Sequence, residues 1–255
     1  LYDASVPVTD NTSARTNMAK TGFSKMFNSQ ARSDSRESIF ELSFSTSDGD
    51  TNNAFDSFWS ATTATFIVRE DFASLLKENT QDRRYYASVN TKSNGKQRSA
   101  KYVMNYTKGD ARNIILIRLA DMLLLRAEAR LGMVTGSTLT KDEADAVMKD
   151  INAIMVRAMG PDAEIVYDNA GEGYHDWTKD DFVELLKSER RKELAFEGHR
   201  WFDLVRWGDT NKALSSMTPA AEATYVFETG PFTIDERAIV WPIHINEIRR
   251  SKYIK

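Results

Sequence analysis

Three glutamates spaced four residues apart, Glu189, Glu193 and Glu197, stand in a run that also carries Arg190, Arg200 and Asp203. Two chemistries are open to such a row. As acid and base the carboxylates could split a glycosidic bond; as anions they could be locked to the neighbouring arginines. Catalytic carboxylates of that kind face each other across a cleft, whereas residues at i, i+4 and i+8 share one side of one helix. The spacing therefore fits the second chemistry. Because an unpaired buried charge costs several kcal/mol, Glu189, Arg190, Glu193, Glu197, Arg200 and Asp203 are expected to form internal ion pairs, local or shared with a neighbouring helix.

A second group could bind rather than react. Phe55, Phe58 and Trp59 recur at helical spacing directly after the polar loop Asp48 to Asn53. They admit two readings, a capped turn whose aromatics fill the core, or a flat platform for a sugar ring with amide and carboxylate groups beside it. Trp59 offers the largest face, and Asn52 and Asn53 would supply contacts to hydroxyls. The histidines, His175, His199 and His244, are isolated, and no HExxH, GxSxG, P-loop or GxGxxG is present. No metal and no cofactor is expected.

These groups must be held by elements the hydrophobic pattern reveals. From Thr178 to Gly208, Phe182, Leu186, Phe196, Leu204 and Trp207 fall on one helical row, and Val183, Leu194, Trp201 and Val205 on the next. One long helix is predicted, opened by a Thr178/Asp181 capping box and stopped at Gly208. Lys192 projects to its outer side, and Gly198 in its interior would let another backbone approach closely. Asn113 to Leu131 reads as a central helix, with Ala120, Ala127 and Ala129 at contacts. Ala144 to Ala158, after a Thr140/Glu143 capping box and before Gly160-Pro161, reads as its partner. Two helices joined by a short loop are the unit of a TPR-type solenoid. Elsewhere the pattern predicts short helices near Phe23 to Asn28 and over Asp71 to Lys77. It also predicts a half-buried strand over Glu37 to Ser45 with Phe40, Leu42 and Phe44 on one side, and a polar loop over Asn90 to Lys101 with a turn at Asn94-Gly95. Gly171 to Trp177 would be a surface feature or a plug over the helix pair, and Arg237 to Ile243 is extended. The fold class is mostly α, a TPR-like helical-repeat scaffold with long irregular loops and a few short strands.

A formal net charge of −3 gives no basic field that would recruit nucleic acid. Without cysteine there is no disulfide framework and no thiol nucleophile. The first 30 residues contain no basic segment followed by an apolar one, and the longest apolar runs are broken by Arg118, Asp121 and Arg126. The chain begins without Met and is read as part of a longer protein.

The run Glu189, Arg190, Arg191, Glu193, Leu194, Glu197, Gly198, Arg200, Asp203, Leu204, Arg206, Trp207, Gly208 resembles the ERRxELxxEGxRxxDLxRWG pattern of the SusD/RagB family of outer-membrane nutrient-binding lipoproteins. Three further segments agree in order: ESIFELSFS from Glu37, IRLADMLLLRAEA from Ile117 and VWPIHINEI from Val240. Gln81 to Tyr86 resembles the family's aspartate-arginine element, whose role is structural. The ending Ser251 to Lys255 departs from the family's usual one. The resemblance runs from about Phe23 to the end and implies a single domain over residues 1–255 that lacks the family's N-terminal repeats and lipidated cysteine. It implies a non-enzymatic cell-surface protein, lipid-anchored in the outer membrane when full length. Such a protein captures an oligosaccharide, with a peptide as the lesser possibility, and delivers it to a TonB-dependent, SusC-like transporter. A helical-repeat scaffold that binds another protein, and a glycoside hydrolase, are the alternatives.

Overall fold

The computed structural model describes residues 26–27, 37–44, 67–91, 97–99, 101–102, 113–167 and 173–215. Asn52, Asn53, Phe55, Phe58 and Trp59, and the Arg237 to Ile243 stretch, lie outside them. The chain divides into two units, Leu1–Glu197 and Gly198–Lys255.

In the first unit the elements follow in the order β1 (Ser38–Leu42), α1 (Glu70–Lys77), α2 (Arg84–Ser88), β2 (Val89–Thr91), β3 (Gln97–Ser99), β4 (Ile114–Arg118), α3 (Leu119–Met133), α4 (Lys141–Met159), a 3₁₀ turn (Pro161–Ala163) and α5 (Lys179–Glu193). The architecture is mostly helical, as the pattern predicts. Its core lies between α3, α4 and α5, where Leu124, Leu131, Val147, Met148, Ile151, Phe182 and Leu186 are buried. Burying each such side chain contributes about 1.5–3 kcal/mol. Small Ala120, Ala127, Ala144 and Ala158 in the same cluster let the helices meet closely. Arg126 and Arg130 both hold Asp150, and Arg130 also donates to the Ala146 carbonyl at 2.6 Å. These links cross-brace α3 and α4 as an antiparallel pair. Both expected capping boxes are present, with Glu143 Oε2 accepting from Thr140 N at 2.8 Å and Asp181 Oδ2 from Thr178 N at 2.7 Å. Tyr174, 5% exposed, packs edge-on against Phe182 and Trp177, so the segment before α5 is a plug rather than a surface feature.

Four expectations need correction. The stretch from Asn113 is not helical at its start, because Ile114–Arg118 is a strand paired antiparallel with β1. Three β-branched isoleucines in five residues favour that outcome. Along β1 the period of two is lost: the register shifts between Ser38, Phe40 and Glu41, and Ile39, Phe40 and Leu42 are all exposed. The polar stretch after Asn90 contributes an arm to a hairpin, Val89↔Ser99 to Thr91↔Gln97. Finally, the long helix from Thr178 stops at Glu193. Phe196 takes φ 67° and Gly198 φ 87°, and the chain leaves the helix in a tight turn. Phe196 meets Phe72 edge-on at 5.8 Å. The carbonyls of Glu193 and Ala195 accept from Lys101 Nζ at 2.7 and 3.1 Å, in place of continued helical bonding.

Gly198 accordingly serves backbone geometry, not close approach, since a Cβ built on it meets nothing within 4 Å. The sign of a substitution tells the two roles apart. In a helix interior Gly198→Ala would stabilise by about 1 kcal/mol. At a left-handed φ it is expected to destabilise by about 1–2 kcal/mol, read as a lower urea midpoint.

The second unit opens with α6 (Arg200–Trp207), which ends at Gly208 in the left-handed conformation, φ 70°, as the expected stop. It continues into α7 (Thr210–Ser215). Within α6, Asp203 is buried and pairs with Arg206, while Phe202 is 71% exposed.

Candidate functional site

The α5 carboxylates point into the unit, where a charge lattice surrounds them. Glu193 Oε1 accepts from Arg118 Nη1 at 2.7 Å and from Arg157, and its Oε2 lies 3.7 Å from Arg84. One turn earlier, Glu189 accepts from Arg84 at 2.8 Å and is ion-paired with Lys192. In the turn after the helix, Glu197 receives Arg118 Nε at 2.6 Å and Lys101 Nζ at 2.5 Å. Asp82 grips Arg84 at 2.6 Å from the chain immediately before α2. Glu37, just before β1, reaches Arg157 at 2.6 Å and Arg118 at 3.0 Å. Among the described residues, five carboxylates (Glu37, Asp82, Glu189, Glu193, Glu197) thus meet five cations (Arg84, Lys101, Arg118, Arg157, Lys192). Phe27 closes one side, its ring 4.9 Å from Lys101 Nζ and 5.5 Å from the Arg118 guanidinium.

The electrostatics follow from this crowding. Burial by itself raises the Glu193 carboxyl, but Arg157, Arg118, Arg84 and Lys101 together hold it well below the usual range. Glu197 is lowered for the same reason, with Arg118 and Lys101 outweighing burial. Burial pushes the Lys101 ammonium down to about 8 against the pull of Glu197. A general acid needs a proton to give near neutral pH and a route to substrate. Glu189 and Glu193 have no exposed surface, and Glu193 is held ionised. Acid-base catalysis by this row is therefore closed off.

Of the expected lattice residues, Glu189, Glu193 and Glu197 sit at its centre. Arg190 lies beside it and pairs with Asp121 of α3 at 3.0 Å. Arg200 and Asp203 belong to α6, in the second unit. Lys192, expected on an outer face, is largely buried against Glu189. The cations that do most of the neutralising, Arg84, Lys101, Arg118 and Arg157, come from other elements. Only Asp82 and Arg84 had a signal, in the aspartate-arginine element, together with Arg118 as a charge inside an apolar run.

A concave surface lies along α4. A groove of about 850 Å³ runs between that helix and the extended segment after the 3₁₀ turn. Asn152 straps the segment down, donating to Ile165 O at 2.7 Å and accepting from Ile165 N at 3.1 Å. Tyr174 donates to Asp145 at 2.5 Å, and Lys141 stands 5.0 Å over the Tyr167 ring. Its prominent polar groups and rings are thus already partnered within the protein. Among the described residues, no cluster of His, Asp or Glu is arranged to hold a metal ion.

Residues 76–255 match the SusD family. SusD-like protein P38 of Formosa agariphila is 33% identical over 168 residues, covering 64% of this chain and 28% of that protein. Among solved structures, a SusD homolog from Bacteroides thetaiotaomicron superposes with a TM-score of 0.60 at 19% identity, over 94% of this chain and 56% of that one. The surface glycan-binding protein A from Bacteroides fluxus superposes at 0.57 with 21% identity, over 95% and 56%. This chain therefore spans between 28% and 56% of the length of these relatives. The family match takes in α2 to α7 and the whole Glu189 to Gly208 signature, and on that footing the chain belongs to the SusD family.

Proposed function

We propose that this chain is part of a cell-surface protein that binds oligosaccharides without cleaving them and delivers them to a TonB-dependent outer-membrane transporter. The observation that carries the reading is membership in the SusD family over residues 76–255. The likeness of the fold to a surface glycan-binding protein supports it. So does the sequestered state of the α5 carboxylates, the one row whose types suggested hydrolysis. A lipid anchor ahead of residue 1 would place the protein at the outer face of the membrane.

An array of neutral and acidic oligosaccharides, followed by a reducing-end assay on whatever is retained, tests this reading. Retention of at least one glycan class with no release of reducing ends is expected. Steady release abolished by one carboxylate substitution would overturn the non-enzymatic part. Retention of no glycan would overturn the binding part and favour a protein-interaction scaffold.

Within that reading, Trp59 is proposed as a stacking surface, with Phe55 and Phe58 beside it and Asn52 and Asn53 as hydroxyl contacts. Trp59→Ala is expected to weaken the retained glycan at least about tenfold, or about 1.4 kcal/mol, in a calorimetric titration with the circular dichroism spectrum unchanged. Unchanged affinity rejects the site. A collapsed spectrum assigns Trp59 to the core.

A further inference from the structure

The outer side of α3 departs from the usual pattern of a surface helix. Ala120, Leu124, Ala127 and Leu131 lie in the core shared with α4 and α5. On the opposite side Leu119, Met122, Arg126, Ala129 and Met133 are exposed, at positions where an amphipathic helix carries polar and charged groups. Leu119 is 47% exposed and Met133 75%. Successive members of this row are three, four, three and four residues apart, the spacing of the narrow seam along which one helix packs into another. At 1.5 Å per residue the seam is about 21 Å long. Apolar side chains scattered singly over a surface need no explanation. Five positions in one register, with Arg126 the single charge among them, do.

That charge argues against a second copy as the occupant. Arg126 stands at the midpoint of the seam, its guanidinium on Asp150 of α4 at 2.9 and 2.5 Å. Two copies paired about that midpoint would set Arg126 against Arg126, and like charges placed opposite each other oppose association. A different helix escapes this penalty. With apolar residues at the matching positions and an acceptor opposite Arg126, it would cover Leu119, Met122, Ala129 and Met133 together. Stacked helix pairs need such neighbours, because only a terminal pair can end in a polar outer face. The outer face of α3 is not polar. This chain covers 56% of each of the two solved relatives and 28% of the curated one, so all three contain sequence with no counterpart here.

We infer that the outer seam of α3 is a docking surface for an amphipathic helix, contributed by a part of the same polypeptide lying outside residues 1–255.

Site-specific photocrosslinking in the complete polypeptide tests this. p-Benzoylphenylalanine is placed singly at Met122 and Met133 in the seam and, as a control, at Lys149 on the exposed side of α4. All three side chains are exposed, so the probe leaves the core intact. Each purified protein is irradiated, and the crosslinked peptides are identified by mass spectrometry. Both seam positions are expected to join one segment outside residues 1–255 whose apolar residues repeat at the same three-four spacing, with yields at least tenfold above that at Lys149. Adducts to residues within 1–255 would show that the chain covers its own seam, and a covalent dimer that a second copy does. Either result overturns the inference, as do yields no higher than at Lys149, which would leave the seam open to solvent.

Discussion

Replacing Glu193 with alanine is expected to lower the stability by about 3–5 kcal/mol, the usual consequence of removing one member of a buried ion-pair group. The size follows from what remains. Arg118 and Arg157 lose the carboxylate oxygen they share, and Arg84 loses a neighbour 3.7 Å away, all within a largely buried region. Their charges cannot be shed, because a guanidinium stays protonated. Lys149→Ala, on an exposed position of α4, should change stability by no more than about 0.5 kcal/mol. Lys192→Ala should fall between the two, since its partner Glu189 keeps Arg84. Urea denaturation of the three variants at neutral pH separates these expectations, and coincident midpoints would show that the lattice carries no stability.

Arg118→Met should cost a similar amount and also change the response to acid. Its guanidinium serves Glu37, Glu193 and Glu197 at once, so two fully buried carboxylates lose a principal counter-charge. In the intact protein Glu193 and Glu197 have native pKa values below those of the unfolded chain. Their contribution is therefore present above the ordinary glutamate value of about 4.3 and is lost as pH falls from there toward the native values. Without Arg118 both native values rise, and less of this stability exists to be lost. The acid unfolding midpoint should move to higher pH, followed by circular dichroism between neutral pH and pH 2. An unmoved midpoint would mean that the remaining cations suffice.

The helical frame was legible because its signals are local. Thr140 and Thr178 announce two helix starts through residues three positions on, and the leucines and isoleucines of α3 and α4 repeat at helical pitch. What escaped the sequence was set by distant partners. The break after Glu193 looks like helix in one dimension because Leu194 and Phe196 keep the apolar rhythm. At the helix end the Glu193 carbonyl is taken by Lys101, 92 residues away, and by Arg118, while Phe196 and Gly198 turn to positive φ. Likewise, the glutamate row announces buried charge but not most of its counter-charges, since of the cations on the same helix Lys192 reaches Glu189 while Arg190 pairs with Asp121 instead.

The order in which the lattice is written along the chain bears on how the protein is made. Arg84, Lys101, Arg118 and Arg157 all leave the ribosome before the α5 carboxylates that neutralise them. Glu193 follows Arg118 by 75 positions, roughly 4–15 s of synthesis at about 5–20 residues per second. During that interval Arg84 has Asp82, and Arg118 and Arg157 share Glu37, but the carboxylates of Glu189, Glu193 and Glu197 are still missing, so complete burial of these cations would leave charge uncompensated. The stretch from Glu189 to Glu197 brings the three carboxylates that link α2, β4, α4 and α5 in the native unit. Close packing of the unit is therefore expected to follow synthesis of the acidic stretch rather than precede it.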